Sequence, residues 1–230
     1  MLELTDKQYT ALVTLQECYK QLQNKNSNVV LELLPEGTQT IVYDWDHYPD
    51  DDEVCDRINH TQYYYHSHPS HDPIRLAEHG HFHVFLRGNA FTKTMTPVLV
   101  SEKHRLDPHK DNLSHLVAIA MNDYGFPVAF FTLNHWVAQG LWYSADDMIE
   151  AFQSFIIEEE AYPITNQWLS SLIQLFQPQI IELLKKRDEV IADWQQEHPD
   201  KNVWKDETLE VTSLASLIPA EEPVTEDLMT

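Results

Sequence analysis

The spacing of apolar residues changes twice along the chain, from helical to strand-like and back to helical. Near the start, an amphipathic helix is indicated by apolar residues three or four positions apart, at Tyr9, Leu12, Leu15, Tyr19 and Leu22. Thr5 and Gln8 stand before this stripe at the spacing of a capping box. The pattern therefore predicts a helix over about residues 6–23, and the following VVLELLPEG predicts a second, short one closed by Pro35 and Gly37.

The segment from Thr38 to Val100 has the character of strands. The β-branched and aromatic runs TIVYDW, TQYYYHSH and HFHVFLR are separated by stretches that contain Asp, Pro and Gly, and each run predicts a strand. The acidic stretch DHYPDDDEVCD between the first two runs is interpreted as a solvated turn. Further along, LSHLVAIAMNDYGFPVAFFTLNHW contains two apolar runs around Asn122 to Gly125, which predicts a hairpin.

Helical spacing returns after the hairpin. Ser144 and Asp147 predict the start of a helix that runs to about Ile157, Thr165 is expected to cap a second helix, and Pro178 suits the first turn of a third. From about Asp200 the chain is acidic and weakly periodic, which predicts a mobile tail. The alternative is that LEVTSLASLI within this tail docks on the body of the domain.

The order of helix, strands and helices favours an α+β fold over alternating βαβ units. We predict a central, mostly antiparallel sheet flanked by N-terminal and C-terminal helices. A chain of 230 residues with 43% hydrophobic content can build one substantial core. We therefore assign one domain, made of a helical segment, a His-rich β-sheet region and C-terminal helices, followed by an acidic tail, at 1–37, 38–143, 144–199 and 200–230.

Charge narrows the expected partners. The formal net charge is −22, from 37 acidic and 15 basic residues, and such a chain repels phosphate backbones and anionic lipid. We expect no nucleic-acid or membrane partner, while a basic protein partner would suit the acidic surface. The sequence shows no basic leader and no apolar run of about eighteen residues, so a cytoplasmic location is expected. Cys18 and Cys55 form no CxxC pair, so imidazole and carboxylate groups would have to hold any metal.

The candidate chemistry is concentrated in QYYYHSHPSHDPIRLAEHGHFHVFLR. Because side chains alternate between the faces of a strand, His79, His81 and His83 are expected to share one face. The same parity groups His66 with His68. If the two strands are neighbours with these faces aligned, several imidazoles converge.

Converging neutral imidazoles are typical ligands of transition metals. We predict a divalent transition metal, zinc or iron, with His66, His68, His81 and His83 as leading ligands, followed by His79. Glu78 is predicted to act either as a ligand or as the general base on metal-bound water. One metal cannot use every histidine of the segment, and His71 is the first that we exclude.

Two classes of function remain open. The first is a metalloenzyme that performs hydrolysis or iron-dependent oxidation on an unknown small-molecule or protein substrate. The second is a non-enzymatic, acidic binding or assembly protein whose histidines are structural, metal-storing or pH-sensing. The later histidines His115 and His135 could face the cluster or form ordinary hydrogen bonds at strand ends.

Parts of the sequence resemble known families. HSHP resembles the opening of the JAB/MPN metalloprotease motif, but the serine and aspartate of that motif do not follow at their set distances, and we set it aside. The stretches QYYYHSH, EHGHFHVFLR, LSHLVAIAM and the region from TLNHWV through LFQPQIIELLKKRD are similar to an uncharacterised bacterial family, a domain of unknown function. This resemblance implies one intact domain and supplies no activity.

Overall fold

The computed structural model describes residues 4–34, 46–49, 53–67, 78–100 and 112–217. The helices in these ranges are α1 (Asp6–Asn24), α2 (His135–Ala138), α3 (Ala145–Ala151), α4 (Pro163–Leu175) and α5 (Gln177–Glu197). The strands are β1 (His47–Tyr48), β2 (Val54–Asp56), β3 (Thr61–Ser67), β4 (Gly80–Arg87), β5 (Leu99–Val100), β6 (Leu113–Met121), β7 (Pro127–Leu133), β8 (Leu141–Trp142) and β9 (Val211–Ser216). Short 3-10 helices cover Leu31–Leu33, Gly88–Ala90 and Val203–Lys205.

One antiparallel sheet organises the domain. Its strand order is β1-β3-β4-β6-β7-β9, and β2 also pairs with β3. β5 and β8 form a separate two-stranded sheet. The predicted α+β fold, with helices on both the N-terminal and C-terminal sides of the strands, is confirmed.

The main core lies between one face of the sheet and the long helices. Alternate residues of the central strands, among them Tyr65, Phe82 and Val84, are fully buried there. The Phe82 ring lies 5.6 Å from Trp168 of α4, measured between ring centroids. α1 adds Leu15, Cys18 and Leu22, and α5 adds Ile180, Leu183 and Leu184. Since this face carries the apolar core, the histidines of alternate parity must lie on the other face.

The structure confirms the predicted N-terminal helix and its capping box. Thr5 accepts from the backbone N–H of Gln8, and the Gln8 side chain accepts from the backbone N–H of Thr5, which completes the capping box. The predicted second helix is a single 3-10 turn at Leu31–Leu33. Pro35 and Gly37, which were expected to close it, lie outside the described residues.

The C-terminal helices correct two predicted boundaries. Ser144 caps α3 as expected, but α3 ends at Ala151 and does not reach Ile157. α4 begins at Pro163, and Thr165 lies inside the helix, where its hydroxyl donates to the carbonyl oxygen of Val29. A Pro at the first helical position lacks the N–H that a cap would have to satisfy, so it starts the helix two residues earlier. Pro178 lies in the first turn of α5, as predicted.

The strand predictions hold for the described runs. TQYYYHS, the described part of TQYYYHSH, forms β3, and HFHVFLR lies within β4. The predicted hairpin forms β6 and β7 around residues 122–126. The run TIVYDW lies outside the described residues. The acidic stretch predicted as a solvated turn contributes β1 and β2, which both pair with β3.

The segment after Asp200 joins the domain over its described part. β9 pairs antiparallel with β7, and the Ser213 hydroxyl donates to the carbonyl oxygen of Leu183 on α5. The described part of LEVTSLASLI, residues 209–217, therefore contributes a strand to the sheet, in agreement with the alternative that this segment docks on the body of the domain. Among the described helices, none combines the length and apolar character needed to cross a membrane.

Candidate metal centre

The histidine face is the side of the sheet that carries Tyr64, His66, His81 and His83. His66 on β3 pairs in register with His81 on β4, and Tyr64 pairs with His83. β4 is a central strand, and all its residues are buried. Its imidazoles are therefore buried on the histidine face, while the alternate residues of β4 pack in the apolar core on the opposite face. The sequence thus places polar rings in the interior of a sheet, which requires partners for their nitrogens.

Three imidazoles converge on this face. His66, His81 and His83 each offer a ring nitrogen, and these three atoms lie within 4.8 Å of one another. The ring centroids of His81 and His83 are 4.5 Å apart, as are those of His66 and His81, while His66 and His83 are separated by 4.8 Å. We call these three residues the histidine triad.

The two histidines of β4 direct the same ring atom at each other. Nε2 of His81 lies 2.9 Å from Nε2 of His83. Their outer nitrogens face other groups. Nδ1 of His81 lies 3.5 Å from a carboxylate oxygen of Glu78, an electrostatic contact and not a hydrogen bond, whereas Nδ1 of His83 lies 3.2 Å from Nε2 of His115. A carboxylate next to one ring nitrogen favours a proton on that nitrogen and leaves the other with a lone pair.

A β-bulge brings His115 to the triad. The register of β4 and β6 shifts between Val84 and Phe85, so that Val84 faces Val117 while Phe85 faces His115. Leu116 is the extra residue, and both Leu116 and Val117 pack in the main core. Strict alternation would have put His115 on the core face together with Val117. The bulge turns it to the histidine face, which is a common use of bulges near functional sites.

Burial keeps His83 and His115 neutral. His81, His83 and His115 are 2%, 3% and 8% exposed. The pKa of His83 is held well below its usual value by burial and by the neighbouring His81, His115, His66 and His47. Burial, aided by the guanidinium of Arg187, lowers the pKa of His115 to about 3. Neutral imidazole is the form that binds metals.

Glu78 lies at the edge of the triad. Its side chain is only 6% exposed, and its oxygen faces Nδ1 of His81, the nitrogen directed away from His83. Among the described residues, the cluster of converging ligand atoms contains imidazole nitrogens only.

His79 does not share the face of His81 and His83, contrary to the expected parity. It precedes β4, its backbone N–H donates to the carbonyl oxygen of Met121, and its Nδ1 lies 2.7 Å from the hydroxyl of Tyr65. Tyr65 is a fully buried core residue. The alternation of a strand does not extend to a residue outside it, and His79 therefore contributes to the core side. His68 and His71 lie outside the described residues.

The sequence predicted only some of the residues that lie around the triad. His47 pairs in register with His66, and its ring stacks on Tyr64 with centroids 4.0 Å apart. Its contact depends on the pairing of β1 with β3, for which no local signal exists. His135 lies in α2, where Nε2 approaches the carbonyl oxygen of Gly140 at 3.2 Å.

The position between His79 and His81 has no room for a side chain, which accounts for Gly80. A Cβ at this position would overlap the carbonyl oxygen of His66 and approach the Tyr65 hydroxyl at 2.6 Å. The missing side chain lets β4 begin close against β3, which aligns His66 with His81.

Residues 9–217 match the family described as a domain of unknown function, DUF6969. The chain belongs to this family. The match covers every described strand and all five helices except the first turn of α1. No match was found among curated proteins or among solved structures, so the chemistry of the site has to be argued from its own residues.

Proposed function

We propose that this DUF6969 chain binds a divalent transition metal ion through His66, His81 and His83. The observation that carries the proposal is the convergence of three imidazoles on adjacent strands, with Nε2 of His81 and Nε2 of His83 2.9 Å apart. Two nitrogens bound to one tetrahedral zinc ion lie about 3.3 Å apart, given metal–nitrogen bonds of about 2.05 Å. The three ligand atoms lie within 4.8 Å of one another, so ring rotations that bring all three separations to about 3.3 Å would fit the ion.

The donor set favours zinc over iron. Three neutral imidazoles form a common ligand set of catalytic zinc, whereas the iron oxygenase site combines two histidines with one carboxylate. The described cluster of ligand atoms includes no carboxylate oxygen. Copper and nickel also accept imidazole ligands, so the metal has to be identified by measurement.

The reaction that best suits this centre is metal-assisted hydrolysis. A zinc ion with three protein ligands keeps a coordination position for water and lowers the pKa of that water towards neutrality. His68 lies outside the described residues, so its role as a further ligand stays a prediction. In this proposal the carboxylate of Glu78 favours a proton on Nδ1 of His81. Nε2 of His81 then keeps its lone pair for the metal.

Elemental analysis of the full chain, purified without a histidine tag, tests the proposal. The wild type is compared with a His66→Ala, His81→Ala double variant. His198→Ala is the matched control, because His198 lies at the end of α5 with Nδ1 3.1 Å from the carbonyl oxygen of Trp194. We expect close to one metal ion per chain in the wild type and the control, and none in the double variant.

The outcome that refutes the proposal is equally clear. If reconstituted wild type holds no zinc, iron, copper or nickel, the triad is a metal-free cluster, and the non-enzymatic alternative is favoured. Equal metal content in the wild type and the double variant would place the metal elsewhere.

A further inference from the structure

We propose that His115 is a positioning residue that sets which nitrogen of His83 carries the proton, and so controls how readily the triad accepts a metal. This inference rests on the proposed metal centre. It starts from the row of contacts that joins Glu78, His81, His83 and His115.

The metal-free row permits one consistent assignment of protons when all three rings are neutral. Glu78 attracts the proton of His81 to Nδ1, so Nε2 of His81 is an acceptor. The 2.9 Å contact then requires His83 to donate from Nε2, which leaves Nδ1 of His83 as an acceptor. His115 completes the row by donating from its Nε2 to Nδ1 of His83.

Metal binding reverses the last of these hydrogen bonds. A metal on Nε2 of His83 requires the lone pair of that atom, so the single proton of His83 must move to Nδ1. Nδ1 then donates to Nε2 of His115, whose own proton moves to its Nδ1. Each ring keeps one proton, and no net proton is gained or lost. His115 can serve both states because neutral imidazole can donate or accept at the same atom.

The bulge is what gives His115 this position. In a regular ladder Leu116 would pair with Phe85, and His115 would lie on the core face, away from His83. His83 and His115 are both buried, so water competes poorly for Nδ1 of His83. A partner of this kind at the outer nitrogen of a ligand histidine typically changes metal affinity by about 10-fold to 100-fold.

Two variants of the full chain separate hydrogen bonding from packing. His115→Gln keeps a side chain that can both donate and accept near the former Nε2 position, whereas His115→Leu keeps volume and loses both. Zn²⁺ affinity is measured by competition with a chromogenic chelator. We expect His115→Leu to bind about 10-fold to 100-fold more weakly than the wild type, and His115→Gln to recover most of that loss.

A spectroscopic readout follows the proton itself. The ¹⁵N chemical shifts of His83 distinguish a proton on Nε2 from one on Nδ1, and we expect the proton on Nε2 in the metal-free wild type and on Nδ1 after Zn²⁺ is added. In metal-free His115→Leu, this preference for Nε2 should weaken, because the donor at Nδ1 is gone.

The failures of the two proposals are distinguishable. Equal Zn²⁺ affinity in the wild type and His115→Leu, or equal losses in both variants, would overturn the role of His115 and leave the metal centre intact. Absence of Zn²⁺ binding by the wild type would refute the centre itself, and the role of His115 with it.

Discussion

His66 and His81 face each other directly across β3 and β4, with ring centroids 4.5 Å apart and planes inclined at 61°. The pairing brings a proposed ligand on one strand next to the His81 and His83 pair on the other. Because the sheet fixes the register of both strands, the three rings already lie close together before any metal binds. Such preorganisation reduces the entropy that ordering the ligands would otherwise cost.

Glu78→Gln is expected to weaken Zn²⁺ binding by about 10-fold to 100-fold. The amide has no negative charge to favour a proton on Nδ1 of His81, so Nε2 becomes a poorer ligand. The measurement is a chelator competition titration. Glu189→Gln, on the exposed surface of α5, is the matched control because it removes the same charge far from the core. If the two variants bind equally well, Glu78 does not orient His81.

His79→Ala is expected to lower stability without changing the metal content. The substitution removes the partner of the buried Tyr65 hydroxyl, and an unsatisfied buried hydroxyl costs about 1–3 kcal/mol. Urea unfolding of the metal-free chain measures the loss. In a Tyr65→Phe background the added cost of His79→Ala should shrink, because the hydroxyl is already absent. A loss of metal from His79→Ala would instead make His79 a ligand.

Stability is expected to fall as the pH is lowered below about 6.5, the usual histidine pKa. The pKa of His115 is about 3 in the folded chain, so between these values the unfolded chain binds the proton and the folded chain does not. The free energy of unfolding then decreases with falling pH, by at most about 1.4 kcal/mol per pH unit from this group. The low pKa of His83 acts in the same direction. Urea unfolding of metal-free protein at several pH values measures the slope.

The His115→Leu variant is the control for this slope. It has no imidazole to protonate at position 115, so its stability should depend less steeply on pH between 6.5 and 5, before most carboxylates titrate. Parallel curves for the wild type and the variant would contradict the prediction.

Truncation of the chain at residue 210 is expected to destabilise the domain. It removes β9, exposes the edge of β7 and breaks the hydrogen bond from Ser213 to Leu183. We expect a loss of at least about 2 kcal/mol in the free energy of unfolding, measured in urea. A chain that ends at Leu217 keeps every described element and is the control. Equal stability of the two chains would show that β9 contributes nothing.

Short-range sequence patterns determined the main helices and strands and the fold class of this protein. The capping box at Thr5 and Gln8, the apolar stripe that follows, and the two runs around residues 122–126 act over a few residues, so their signals are present in the chain itself. Period-2 alternation likewise separated His81 and His83 from Phe82 and Val84. The α+β class and the strand-borne pair of imidazoles followed from these short-range rules.

Tertiary structure decided which histidines meet. The pairing of His66 with His81 depends on strand register, the orientation of His115 depends on a bulge that no alternation rule anticipates, and His79 leaves the cluster because β4 begins one residue later. The strand formed by part of the predicted tail depends on the free edge of β7. Each of these features results from contacts between segments that are distant in the sequence. Short-range patterns do not predict such contacts.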